Sequence, residues 1–495
     1  DPMPRARDHT LRSLGAGILA AWLTAPAAAD GPVNVFLMVS DGQGFHAVGA
    51  TTLYRGAPPV YQDFPVKVAV QTHSASQPAG YDPGRMWSDF GWALRGATDS
   101  AAAATAMVSG IKVRDGQLNR SPDGRPLRTF FEDASRLGMA TGAISSVPFA
   151  HATPAAAYAH SMSRNDYPAI AREGILGDWL DVLIGAGHPG HDVNGEPRQP
   201  EPGHYDHVGG FSTWQALQTA GGEGWSLVEA REDFEAIAGG RVPAPTRLLG
   251  VARAGTTLQA DRRRGADPNR PSGVAPNPGV PSLATLVQAG IRVLERGASG
   301  FALLVEGGAV DWAAHAHDLP RLIEEQAEFN AAVQTVVDWI EAPDNPAGGW
   351  HRNLVIVTGD HETGHLWGPG TYSDHNRNGV YDPAGPDVFH GYRPLEDRGP
   401  GHVPGHQFAS RGHTGALVPL FARGLGSERF SALVLARDAR AVDAYGPTAR
   451  GFAGDYVDNT AVYRVMTQAI SLGDASPGAR PHLPAFRAIL PVPPG

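Results

Sequence analysis

No cysteine occurs in these 495 residues, so neither a disulfide, a thiolate metal ligand nor a thiol nucleophile is available to this chain. Lysine is almost as scarce, present only at Lys67 and Lys112, and the arginines are scattered apart from the run Arg262-Arg263-Arg264. With a formal net charge of -10, the chain lacks the basic stripe that nucleic-acid binding requires, so no such specificity is expected. Long apolar runs are missing too. The stretch 14–23 is the longest near the N-terminus and is too short to span a bilayer. What is present is enough apolar residue, 42% of the chain, to bury a large core.

Arg5, Arg7 and Arg12 precede that apolar stretch and Ala27-Ala28-Ala29 follows it. A charged, then apolar, then small-residue pattern predicts a secretory signal peptide over residues 1–29, export to the periplasm or the exterior, and no membrane attachment once the leader is removed. An exported fold without disulfides must be held by its core and by bound metal.

Val33 to Ser40 (VNVFLMVS) is a continuous apolar run that ends at Asp41, the pattern of a strand buried on both faces. Comparable runs lie at 302–305 before Glu306, at 354–357 before Asp360, and at 418–421 after His413. Helical periodicity falls between them, at 100–109, 127–137, 283–296, 322–340 and 460–470. Strands alternating with helices predict an α/β fold with a doubly wound, mostly parallel central sheet and helices on both faces, whose ligands gather at the carboxyl ends of the strands. Stretches rich in Gly, Pro and polar residues at 187–210, 254–281 and 364–412 predict insertions within a single domain of residues 30–495. The proline-rich tail 481–495 predicts an extended surface segment.

Thr98-Asp99-Ser100 opens an alanine-rich helix with Gly110 as its stop. A serine at a helix start sits where free N–H groups and the macrodipole stabilise an anion, which suits a nucleophile; the same residues also suit an N-cap. Asp311 and His315 are four apart on one helix face, a spacing that suits two ligands of one metal ion and equally a solvated face. Asp360-His361 follows a strand and His413 precedes one. Together Asp41, Asp311, His315, Asp360, His361 and His413 supply six nitrogen or oxygen ligands, with Glu306 a seventh, enough for two zinc-like ions and one harder ion.

From Val33 to the helix ending near Ile470 the chain resembles the alkaline phosphatase family. Asp99-Ser100 resembles that family's nucleophile signature, Glu306 to His315 its paired-metal helix, and Asp360-His361 and His413 its remaining zinc ligands. The stretch His151-Ala152-Thr153-Pro154 through Arg164 resembles the one that carries a magnesium ligand and the phosphate-binding arginine. The resemblance implies one Zn(2+) held by Asp311, His315 and His413, a second by Asp41, Asp360 and His361 with Ser100, and Mg(2+) held by Asp41, Thr153 and Glu306. It implies an exported phosphomonoesterase with a covalent phosphoserine at Ser100, Arg164 forking the phosphoryl oxygens, Asp99 orienting that arginine or capping its helix, and a homodimer as a candidate assembly. His151 stands where some members have an aspartate, which would weaken or alter the magnesium site. Trp312 stands where better-known members carry a basic residue, which would loosen product phosphate.

Asp374, Asn376, Asn378 and Asp382 fall at positions one, three, five and nine of a calcium-type loop with glycine at six, but Gly385 occupies position twelve, where a bidentate glutamate belongs. A Ca(2+) site and a polar turn are both open readings. His365, His402 and His406 read as solvated loop residues, with support of the metal ligands or contact with substrate as the alternatives. Alternatives to a monoesterase are a phosphodiesterase or sulfatase of the same superfamily, or a non-catalytic exported binding protein. No C/S-x-P-x-R context for a sulfatase is present, and every ligand that a degenerate enzyme would lose is in place.

Overall fold

The computed structural model describes residues 31–219, 222–267 and 270–473. The leader at 1–29 and the tail at 481–495 lie outside the described residues. Strand β1, Val33–Ser40, is buried at every position, as its unbroken apolar pattern requires. Seven further sheet strands follow in chain order: β2 Val66–Gln71, β3 Ala140–Pro148, β4 Val182–Ala186, β5 Ser226–Val228, β6 Leu248–Val251, β7 Gly300–Gly307 and β8 Asn353–Thr358. With Val418–Gly424, Ala436–Arg437 and Asp455–Asp458 they form one 11-stranded sheet. Strands β8, β1, β7, β3, β4, β6 and β5 run parallel in that spatial order. The strand Val418–Gly424 runs antiparallel between β2 and β8.

Both faces of the sheet are covered, and β1 shows how its side chains divide. Val35, Leu37 and Val39 pack with Ala104, Met107 and Val108 of the helix Ser100–Ser109 and with Val462 and Met466 of the helix Thr460–Gly473. Phe36 and Met38 point the other way, against Leu286 and Val287 of Leu283–Leu294 and Phe329, Val333 and Val336 of Leu319–Glu341. Between the stretches 187–210 and 254–281, β5 and β6 extend one edge of the sheet. The segment 364–412 is mostly irregular, with one two-stranded ribbon, Tyr372–Ser373 against Val388–Phe389. Among the described residues, no helix is long and apolar enough to cross a membrane.

Register brings the acids together. Val39 of β1 lies opposite Glu306 of β7 on one side and Thr358 of β8 on the other. Asp41, Glu306 and Asp360 therefore emerge at one edge of three adjacent parallel strands, where an open α/β sheet presents its ligands.

Candidate metal centre

Two groups of three potential ligands converge at that edge: Asp41, Asp360 and His361, and Asp311, His361 and His413, with ligand atoms within 4.8 Å of one another inside each group. His361 belongs to both. Its Nε2 is 3.5 Å from Asp41 Oδ1 and 3.3 Å from Asp360 Oδ2. His413 Nε2 is 3.6 Å from Asp311 Oδ1, and His315 Nε2 is 3.2 Å from Asp311 Oδ2. Asp311 and His315 lie one turn apart on the short helix Ala309–His315, so the i, i+4 spacing does place both side chains together.

Each imidazole is anchored through Nδ1. His413 Nδ1 donates to the Thr98 carbonyl at 2.9 Å and His315 Nδ1 to the Arg411 carbonyl. The Thr363 hydroxyl donates to Asp311 Oδ1 at 2.5 Å and so accepts from His361 Nδ1 at 3.2 Å. Holding each ring by Nδ1 turns its Nε2 toward the carboxylates, the outer support that metal-binding histidines need. The Ser100 Oγ lies 3.1 Å from His361 Nε2.

Ser100 opens the helix Ser100–Ser109, and Asp99 serves two roles at once. Its Oδ1 caps the helix by accepting from Ala102 N at 3.1 Å, while Oδ2 accepts from Arg164 Nη1 at 2.9 Å. Gly110, at φ 70°, ends the helix in the left-handed conformation that glycine adopts without strain. Glu306 accepts from the Ser145 hydroxyl on neighbouring β3. Thr153, buried on Ala152–Ala155, faces the same carboxylate, yet its Oγ1 meets hydrogen-bond geometry with no protein group.

The electrostatics suit cations. Burial pushes the Asp41 carboxyl well above its ordinary range, with Asp360, Asp311 and Glu306 adding repulsion. Burial lifts Glu306 to about 8, and burial followed by the Asp311 charge lifts Asp360 to about 6. Burial also pushes Asp311 up, but the His315, His361 and His413 imidazoles outweigh it and hold that carboxyl below the ordinary range. Asp41 Oδ1, Asp360 Oδ2 and Thr153 Oγ1 are all buried without a hydrogen-bond partner. Orphaned oxygens in a cluster of acids and imidazoles fit divalent cations, which would satisfy all of them together.

His151 belongs to neither three-ligand group. Its ring stacks on Tyr167 at 5.1 Å between centroids and 21° between planes. His365 corrects the expectation of a solvated residue: it is 1% exposed, packs against Phe90 and Trp367, and takes φ 46°. In the 374–382 loop, Asp374 accepts from Asn378 N and Gly379 N, Asn378 Oδ1 from Val380 N, and Asp382 from Ala384 N. These bonds suit a polar turn and a cation loop alike. Thr363 went unnoticed in the sequence although it stands two residues after His361; the Thr98 and Arg411 carbonyls that anchor two ligands carry no sequence signal.

A family model for alkaline phosphatase matches residues 33–385. The chain is 31% identical over 398 residues to streptomycin-6-phosphate phosphatase of Streptomyces griseus, covering 70% of this chain and 79% of that protein. It is 27% identical over 337 residues to alkaline phosphatase 3 of Bacillus subtilis (strain 168), covering 67% of this chain. The matched region spans 46% to 61% of the length of three curated alkaline phosphatases from Bacillus subtilis and Saccharomyces cerevisiae. In fold, it resembles Thermus thermophilus alkaline phosphatase, with TM-score 0.58 and 22% identity over 93% of this chain and 96% of that one. It likewise resembles a histidine-to-aspartate mutant of TAB5 alkaline phosphatase with Mg bound in its M3 site, with TM-score 0.58 and 20% identity over 90% and 99% of the two chains.

Proposed function

Because this chain belongs to the alkaline phosphatase family, we propose that it hydrolyses phosphate monoesters, releasing inorganic phosphate through a covalent phosphoserine at Ser100. The observation that carries this reading is the set of three Nδ1-anchored imidazoles whose Nε2 atoms meet buried carboxylates beside the Ser100 hydroxyl. Asp311, His315 and His413 would hold one zinc ion, and Asp41, Asp360 and His361 with Ser100 a second. Asp41, Thr153 and Glu306 would hold magnesium, an assignment to which the orphaned Thr153 Oγ1 lends support. Bound ions supply the positive charge that makes a serine hydroxyl nucleophilic at working pH and that stabilises the departing oxygen.

Everything else falls to the protein. Ser100 Oγ attacks phosphorus in line, the bond to the leaving alcohol breaks, and a phosphoserine results. Water then attacks the same phosphorus, so two inversions give net retention. The start of the helix Ser100–Ser109 directs its N–H groups and positive end toward the phosphoryl dianion. Arg164, three-quarters buried and gripped by Asp99, presents a planar fork to two phosphoryl oxygens. An arginine set against the free oxygens favours monoesters over diesters, whose second substituent would occupy that place. The arginine-led, apolar pattern of residues 5–29 supports export.

Replacing Ser100 with alanine should abolish burst release of the alcohol from an aryl phosphate while circular dichroism and metal content stay as in the parent. A burst that survives would remove Ser100 as nucleophile. Parallel rates on aryl monoester, diester and sulfate substrates would rank the three reaction classes.

A further inference from the structure

Four rings from four separate segments meet beside Arg164. His151 precedes the short helix Ala152–Ala155, Tyr167 opens the helix Tyr167–Leu176, His207 belongs to the 3-10 helix Pro202–Val208, and Trp312 follows Asp311. His151 and Tyr167 stack as described above. His207 lies 4.6 Å from Tyr167 and 5.2 Å from His151, and Trp312 lies 5.4 Å from His151, all between centroids. All four side chains are half-buried, neither closed into the core nor fully in water.

Position and chemistry both bear on what this cluster does. Tyr167 stands three residues after Arg164, and His151 two before Thr153, so the rings flank the Arg164 side of the centre. Trp312 ties the other side of the cluster to a metal-ligand helix. The His207 Nδ1 is buried without a hydrogen-bond partner, so polar bonding does not account for its place there. His207 comes from the stretch 187–210. The cluster is aromatic and only half-buried, and Trp312 sets it next to Asp311 on the helix Ala309–His315.

We infer that His151, Tyr167, His207 and Trp312 form a leaving-group subsite that stacks a planar aromatic ring, so that aryl and nucleoside phosphates are preferred over phosphates of small aliphatic alcohols. The inference rests on the phosphatase reading above. Aromatic faces hold flat rings by stacking whatever their substituents, which gives a class preference without a single obligatory substrate.

The metal-loaded full chain is assayed on 2-naphthyl phosphate and on glycerol 2-phosphate, with Tyr167→Leu and His207→Ala as variants. The ratio of kcat/KM for the two substrates should fall about tenfold, as expected for loss of a stacking partner, while inhibition by inorganic phosphate stays within about twofold. A ratio that does not move, or an equal fall on both substrates, would overturn the subsite. Should neither variant fold, the parent enzyme gives a second reading: benzylphosphonate should inhibit about tenfold more tightly than methylphosphonate, and equal inhibition would overturn it. A parent enzyme inactive on both esters would instead refute the phosphatase reading itself.

Discussion

Stripped of divalent ions, the protein should lose stability as the pH rises from about 5 to 9. Burial holds Glu306 at about 8 against an ordinary 4.5, and it holds Asp360 at about 6 and Asp41 higher than usual. The folded chain therefore keeps protons that the unfolded chain gives up. The stability this provides is complete below the unfolded values near 4 and disappears as the pH climbs through the folded ones. Asp311 is shifted downward, so its contribution is already complete above pH 4 and is constant across this window. At about 1.4 kcal/mol per tenfold change in proton affinity, Glu306 alone costs roughly 5 kcal/mol by pH 9. An unfolding entropy of about 2 cal/mol/K per residue converts that into roughly 5 °C of Tm for a chain of this size. Scanning calorimetry of chelated protein at a series of pH values, beside chelated Glu306→Gln, isolates the effect. The parent should fall by about 5 °C relative to the variant over the window, and reloading with zinc and magnesium should erase the fall. Parallel curves for the two chelated proteins, or a parent Tm that rises with pH, would refute the reasoning.

Arg164→Lys keeps the charge but loses the fork, so inhibition by inorganic phosphate should weaken about 10- to 100-fold, the worth of one charge-assisted hydrogen bond; unchanged inhibition would place the guanidinium away from the anion. Gly300 opens β7 at φ +82°, and a methyl there would meet the Val33 carbonyl oxygen at 2.1 Å. Gly300→Ala should therefore cost about 3 kcal/mol or more, read as a lower urea midpoint at unchanged slope; a parental midpoint would show that the β1–β7 edge yields.

The strands that bear the centre could be read from the chain because they are buried on both faces and end abruptly in acid: Val33–Ser40 before Asp41, 302–305 before Glu306, 354–357 before Asp360. The helix Ser100–Ser109 was marked by its cap and its glycine stop. Less could be read at the edges of the sheet. Strands β5 and β6 are three and four residues long and lie between the two stretches 187–210 and 254–281, too short to show a pattern of their own. At the site, the ligand residues announce themselves by type, but what orients them does not. Two anchors are backbone carbonyls, and the four rings beside Arg164 are drawn from residues 151 to 312, a distance over which no local pattern survives. His151 illustrates the limit: its neighbour Thr153 faces Glu306, while its own ring turns away to Tyr167.

The tie between His413 Nδ1 and the Thr98 carbonyl has a consequence for how the centre assembles. Thr98 stands two residues before Ser100, so the peptide that presents the nucleophile is also a buttress for a ligand contributed from more than three hundred residues later. On the proposed mechanism, loading the ion at His413 and aligning the Ser100 hydroxyl would be coupled through that one peptide, so a half-filled centre would also leave the hydroxyl out of register.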